Sequence, residues 1–183
     1  MLKNKLPLIT LLLLGTVSAN AQKYITKSGN VKFEASVPSF EEVAAESKST
    51  SAVFEISTGD LAALTLMKGF RFKVALMEEH FNENYVESDK YPKASFKGKV
   101  ENFDASQVTA NEKTFTITGD LTLHGKTKKV SSTAKISKSS TTYKISGSFT
   151  VKPEDFDIEI PKIVSKKVSD KVAVDYNFLL NKQ

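Results

Sequence analysis

Few side chains in this sequence could do acid–base or metal chemistry: there are two histidines, His80 and His124, and no cysteine. Without cysteine, thiolate nucleophiles, iron–sulfur clusters, zinc-thiolate sites and disulfides are all excluded. His80 follows Glu78 and Glu79, a grouping of the right types for general acid–base work or part of a metal site. A metal normally takes about three or four ligands, and neither histidine has a second ligand at metal spacing. Neither sits in a nucleophile–base motif. Ser57-Thr58-Gly59-Asp60 and Thr118-Gly119-Asp120 match no phosphate-cradling loop. The expectation is no catalytic residue and no metal, with His80 and His124 as hydrogen-bonding or lining residues that make the polar contacts of a site.

What the chain supplies in quantity is apolar ring surface: 12 phenylalanines and no tryptophan. Most of these rings fall on one phase of segments that alternate apolar and polar residues, the period of strands with one buried face. Val31, Phe33 and Ala35 form one such run; Ala52, Phe54 and Ile56 a second; Phe70, Phe72, Val74 and Leu76 a third. Phe96, Gly98 and Val100 follow, then Phe115, Ile117, Gly119, Leu121 and Leu123 against an outer row of threonines, then Ala134 and Ile136. Tyr143 to Val151 and Val172 to Phe178 complete the set. Glycines recur on the apolar phase at Gly98, Gly119 and Gly147, which predicts strong curvature or a close approach. Short polar connections between the last segments predict an antiparallel meander. Two stretches break the alternation. Ser39 and Glu42 have capping-box spacing and predict a short helix over Ser39–Ala45, and Met77, Phe81 and Tyr85 at i, i+4 predict two helical turns over the barrel or its mouth.

The N-terminus has the form of a cleavable secretory signal. Lys3 and Lys5 precede an apolar run from Leu6 to Val17, and Ala19-Asn20-Ala21 offers a small-residue cleavage pattern. The run is shorter than the roughly 20 residues that cross a bilayer core as a helix. The expectation is a signal over 1–21, cleavage near Ala21, and one domain over 22–183 in the periplasm or secreted. The formal charge of +5 then becomes 5 − 2 = +3 once Lys3 and Lys5 are removed. Lysines are spread along the polar phase rather than gathered among aromatics, which argues against nucleic acid. The local group Lys126, Lys128 and Lys129 is read as a solvated turn or strand edge, where lysine also discourages edge pairing.

The fold class expected is all-β with one or two short helices: an extended, lipocalin-like antiparallel barrel of about eight strands. Periodicity leaves two readings of its interior open, a barrel filled by its own side chains and one enclosing a ligand. For the second, the candidate apolar lining is Phe33, Phe54, Phe72, Val74, Phe81, Phe96, Phe115, Ile117, Leu121, Leu123, Phe149, Tyr176 and Phe178.

Residues 118–127 read TGDLTLHGKT, and residues 88–96 read SDKYPKASF. Together, with the helical stretch before them and Asp155-Phe156-Asp157-Ile158 after, they resemble the signatures of the YceI-like family of polyisoprenoid-binding proteins. The resemblance implies a lipocalin-like barrel, export to the periplasm, a long isoprenoid lipid or isoprenoid quinone in the interior, and no catalytic residues. Many members have Arg-x-x-His where this chain has Met77-Glu78-Glu79-His80, and Arg-x-Asp-aromatic-Gly where it has Pro153 to Asp157. Arginine's bidentate fork suits anionic heads. Its absence favours a quinone, a neutral isoprenoid or a fatty acyl chain over a pyrophosphate. No cofactor is expected beyond such a lipid or quinone. The partners expected are a long-chain apolar lipid and at most a second copy in a homodimer, with no nucleic acid and no transmembrane segment in the mature form. The competing expectation is a barrel that binds nothing, a structural, interaction or stress-related periplasmic protein.

Overall fold

The computed structural model describes residues 22–183; the secretory signal expected over 1–21 lies outside the described residues. Nine strands run in order: β1 (Lys23–Ser36), β2 (Ala44–Glu55), β3 (Asp60–Leu66), β4 (Arg71–Phe72), β5 (Lys93–Val100), β6 (Lys113–Leu123), β7 (Lys126–Ser139), β8 (Thr142–Val151) and β9 (Val168–Lys182). The sheet order is β1-β9-β8-β7-β6-β5-β3-β2, and β1 also pairs with β2, so eight antiparallel strands close on themselves. Closure leaves no long edge to template aggregation. β4 only extends the end of β2, pairing at Ala45 with Phe72 and Glu46 with Arg71.

Alternation is the cause of the barrel's inside and outside. On β6, Phe115 and Ile117 are buried while Thr114 and Thr116 are exposed; on β9, Tyr176, Phe178 and Leu180 are buried between exposed Asp175, Asn177 and Leu179. The inward residues form two clusters. One, around Tyr24, Phe54, Val100, Ile136, Tyr143, Ile145 and Leu180, is packed solid at one end. The other, around Ala45, Met67, Phe70, Val86, Phe156 and Ile158, gathers at the opposite end beneath α1 (Ala75–His80) and a wider helical turn, Phe81–Tyr85, closed by the Val86 N–H to the Phe81 carbonyl at 2.9 Å.

The predicted bend is a seat for aromatic rings. Gly98 and Gly119 face each other across β5 and β6, and a Cβ at Gly119 would stand 2.7 Å from Phe96 Cζ while also striking Gly98 Cα and the Lys97 carbonyl. Phe96 therefore lies flat over two glycines, as a ring covering bare backbone.

Three expectations are corrected, and one strand is added that alternation does not show. The helix expected over Ser39–Ala45 does not form: the Ala35 N–H bonds the Val43 carbonyl at 2.8 Å and the Val43 N–H bonds Ser36 Oγ at 3.0 Å, and pairing resumes at Glu34 with Ala44. A two-turn helix is marginal alone, and the long β1–β2 ladder outcompetes it. The strand expected over Phe70–Leu76 shrinks to β4, because β3 already occupies β2 from Ser51 to Glu55 and leaves only its start to pair. β3 itself was hidden, since Leu61 and Ala63 face in while Ala62, Leu64 and Leu66 are exposed, so apolar residues on both phases erase the period of two. The meander holds through the turns between β6, β7 and β8, but a long connection, residues 152–167, separates β8 from β9.

Candidate functional site

Between the two clusters the barrel is hollow. A cavity of about 410 Å³ opens along its axis, within the roughly 300–1,000 Å³ of small-molecule sites. Leu61, Ile117, Tyr176 and Phe178 belong both to the packed cluster and to the cavity wall, which places the floor there. Phe40, Glu41, His80, Ile160, Val164 and Lys167 also line it. They come from α1 and from the loops joining β1 to β2 and β8 to β9, which bound the open end. Ser36 pairs with Val168, bringing those two loops side by side.

Ten of the predicted apolar residues stand on this wall: Phe33, Phe72, Phe81, Phe96, Ile117, Leu121, Leu123, Phe149, Tyr176 and Phe178. His80 stands on it too, at an exposed position of α1. Phe33, Phe70, Phe72 and Phe81 form one nest, with centroids 5.1 to 5.9 Å apart. Three predicted lining residues lie elsewhere. Phe54 is fully buried against Phe103 and Tyr143 in the packed end, and Phe115 packs on Phe103 there. Both have the correct inward phase but the wrong height on the barrel, a coordinate that alternation does not carry. Val74 caps α1 in extended conformation, away from the cavity.

Sequence reasoning missed part of the wall. Met77 and Tyr85 line it as the helical stripe implied. Phe40, Ile158, Ile160 and Val164 come from irregular loops and carry no periodic signal.

His124 is not on the cavity wall. It turns the β6–β7 hairpin with φ 49° ahead of Gly125 at φ 73°, the paired left-handed residues of a tight hairpin turn. Its Nδ1 donates to the Phe156 carbonyl at 2.9 Å, its Nε2 lies 2.8 Å from Glu87 Oε2, and the Tyr91 ring packs edge-on at 4.4 Å. Tyr91 leaves room over Gly125 for nothing larger, since a Cβ there would stand 2.7 Å from its ring. The hairpin of residues 118–127, the 88–96 turn and the Phe156 loop thus meet at one imidazole. Lys126 and Lys128 reinforce the junction by pairing with Asp157 at 2.7 Å and Asp155 at 3.7 Å. Lys126, Lys128 and Lys129 all stay exposed at the hairpin and the start of β7, in keeping with a solvated turn, and the first two add these surface pairs. Phe156, anchored by the junction, is 1% exposed and lines the cavity at the α1 end.

Polar groups on the wall are sparse. Thr65 Oγ1 is 2.8 Å from Thr50 Oγ1, and the Tyr176 hydroxyl is 2.8 Å from Ser132 Oγ. Burial pushes the Tyr176 phenol above its usual range, and the Ser132 hydrogen bond offsets part of that. Among the described residues no cluster of three or more metal-ligating side chains occurs, and no helix is long and apolar enough to cross a membrane.

A closed antiparallel barrel, solid at one end and hollow and apolar at the other, is a lipocalin-like architecture. The YceI-like domain model matches residues 16–180, and the chain belongs to that family. Solved structures share the fold at low identity. A polyisoprenoid binding domain from Saccharophagus degradans, implicated in plant cell wall breakdown, superposes with TM-score 0.75 at 13% identity, covering 89% of this chain and 99% of that one. BcnA of Burkholderia cenocepacia gives 0.67 at 17%, covering 83% and 95%. The YCEI protein of Campylobacter jejuni gives 0.62 at 22%, covering 80% and 89%. Among curated proteins none matches the sequence.

Proposed function

We propose that this protein is an exported lipid-binding protein that holds a long apolar chain, a polyisoprenoid, an isoprenoid quinone or a fatty acyl group, inside its barrel. The observation that carries the reading is the carbon-lined cavity of about 410 Å³ on the barrel axis. Each methylene moved there from water is favoured by about 0.8 kcal/mol before association costs. The fold likeness to a polyisoprenoid binding domain supports the same ligand class. A neutral ligand is favoured because Arg71, the chain's only arginine, is engaged by Glu78 at 2.8 Å and by the Lys68 and Phe70 carbonyls. The reading is non-catalytic: His80 lies exposed at the mouth and His124 is committed to the junction of three loops. Export rests on Lys3, Lys5, the Leu6–Val17 run and Ala19-Asn20-Ala21, and the periplasm is where an apolar chain between two membranes needs a shield from water.

Native purification followed by lipid mass spectrometry tests this. A long-chain lipid co-purifying with the folded barrel supports the reading. An empty barrel that also takes up no long-chain isoprenoid, quinone or fatty acid when delipidated and refilled refutes it. Processing is tested on the same material by the N-terminal residue, expected at Gln22.

A further inference from the structure

The floor of the cavity contains one hydroxyl in a seat made for it. Tyr176 on β9 pairs in register with Gly147 on β8, and a Cβ at Gly147 would stand 2.5 Å from the Tyr176 hydroxyl and 2.8 Å from the Thr133 carbonyl. A glycine inside a strand weakens it, so this one is kept at a cost, and what it admits is the phenolic oxygen. Neighbouring positions of the same wall, Phe149 and Phe178, are satisfied by bare rings. Ser132 on β7 fixes the hydroxyl from the other side.

The hydrogens can be assigned. Ser132 Oγ lies 2.8 Å from the Ser148 carbonyl, which can only accept, so the single serine hydrogen goes there. Tyr176 must then donate to Ser132, at 2.8 Å. The chain Tyr176 to Ser132 to Ser148 uses both hydroxyl hydrogens and leaves the phenolic oxygen with an unused acceptor lone pair. Thr65, the buried wall hydroxyl outside this chain of bonds, lies nearer the mouth between Ala63 and Met67 and is closed by Thr50.

We propose that Tyr176 is a ligand contact that accepts a hydrogen bond from a terminal hydroxyl carried to the cavity floor, so that the barrel selects a long-chain alcohol over the same chain without a donor. The polar end of the ligand then lies inside and the apolar tail runs toward the mouth, the reverse of a head-out arrangement. A quinone or an ether, which offers only acceptors, faces a lone pair instead of a hydrogen and loses this contact.

This inference rests on the lipid-binding reading, and the experiment separates the two. Delipidated protein is titrated with geranylgeraniol, its methyl ether and the matching hydrocarbon. The alcohol is expected to bind about three- to tenfold more tightly than the ether, the worth of one neutral hydrogen bond. In Tyr176→Phe the alcohol-to-ether ratio is expected to fall to about one. In Ser132→Ala the phenolic hydrogen is freed to donate, so the ether is expected to gain and the ratio to narrow by that route. The Phe variant leaves Ser132 bonded to Ser148, and its thermal midpoint without lipid reports folding. Equal binding of alcohol and ether by the unaltered protein, or a ratio unchanged in Tyr176→Phe, would overturn the inference while leaving lipid binding intact. Binding of none of the three would overturn the lipid-binding reading and this inference with it.

Discussion

Filling the cavity from its own wall separates lipid binding from folding. Ala63 lies on β3, half-buried and facing the cavity, paired with Phe96 on β5 and Ala52 on β2. Ala63→Phe projects a ring into space of about 410 Å³ from the border of the packed cluster, which Ala63 touches. The six added carbons take the room of about one isoprenoid unit. Loss of contact with three or four methylene-sized groups costs about 2.4–3.2 kcal/mol at about 0.8 kcal/mol each, a drop in affinity of roughly 50- to 200-fold. The unaltered, delipidated barrel should gain about 2.7 kcal/mol at lipid concentrations of about 100 Kd. That corresponds to a rise in Tm of about 5–11 °C for a chain of this size. The variant without lipid should melt at or above the unaltered protein, because the ring fills a void, yet its lipid-induced rise at the same concentration should largely vanish. Scanning calorimetry with and without a long-chain prenol measures both. A variant that melts normally and still binds with unchanged Kd would refute the reasoning, since the ligand would then lie somewhere other than this cavity.

Three further outcomes follow from the same geometry. Phe115→Asp should abolish folding, because it buries a carboxylate beside Phe103 in the solid end, whereas Phe72→Asp, half-buried on the cavity wall, should fold and lose long-chain lipid; circular dichroism and lipid uptake distinguish them. Gly119→Ala forces a methyl onto Gly98 Cα and Phe96; overpacking of this kind costs about 1–3 kcal/mol, read as a Tm lower by about 2–12 °C. Lys126 holds the Asp157 carboxyl below its ordinary value of 3.8, so the pair contributes stability above that value and loses it as the pH falls through the lower, folded one. The pair is exposed, so Lys126→Met should lower the neutral-pH Tm only slightly, and the gap should close when melts are repeated below pH 3.8.

Inside and outside were legible wherever one strand face is wet. The phases of Phe33, Phe96, Ile117, Leu121, Phe149 and Phe178 follow from their neighbours alone, and all six stand on the cavity wall. Height along the barrel was not legible, because Phe54 and Phe115 share that phase yet fall in the solid end. That position is set by register, which Gly29 and the bulges around it fix on β1. A Cβ at Gly29 would stand 2.7 Å from the Phe178 ring. β3 escaped notice because its outer face carries Leu64 and Leu66, 37% and 53% exposed, where alternation requires polar residues. The loop residues Phe40, Ile160 and Val164 are held by tertiary contact and have no period to read. The family motifs were legible as strings but not as a device. Only in three dimensions do Tyr91, His124 and Phe156 turn out to be one contact.

That contact explains why a hollow barrel can stay open. Apolar rings around an unfilled space tend to collapse onto one another, since protein interiors pack as densely as organic crystals. Here the walls are held apart by polar ties at both ends of the cavity. The β6–β7 hairpin, the loop after α1 and the Phe156 loop are tied through His124, Glu87 and the Lys126–Asp157 pair, while at the floor the Tyr176–Ser132–Ser148 chain holds β7, β8 and β9 in register. The solid end supplies the burial that folds the chain, and these polar ties spend some of that stability on keeping the other end unfilled. A bound apolar chain would then add the contacts the walls lack, so occupancy and stability should rise together in this protein, and removing the ties should let the cavity close before the barrel unfolds.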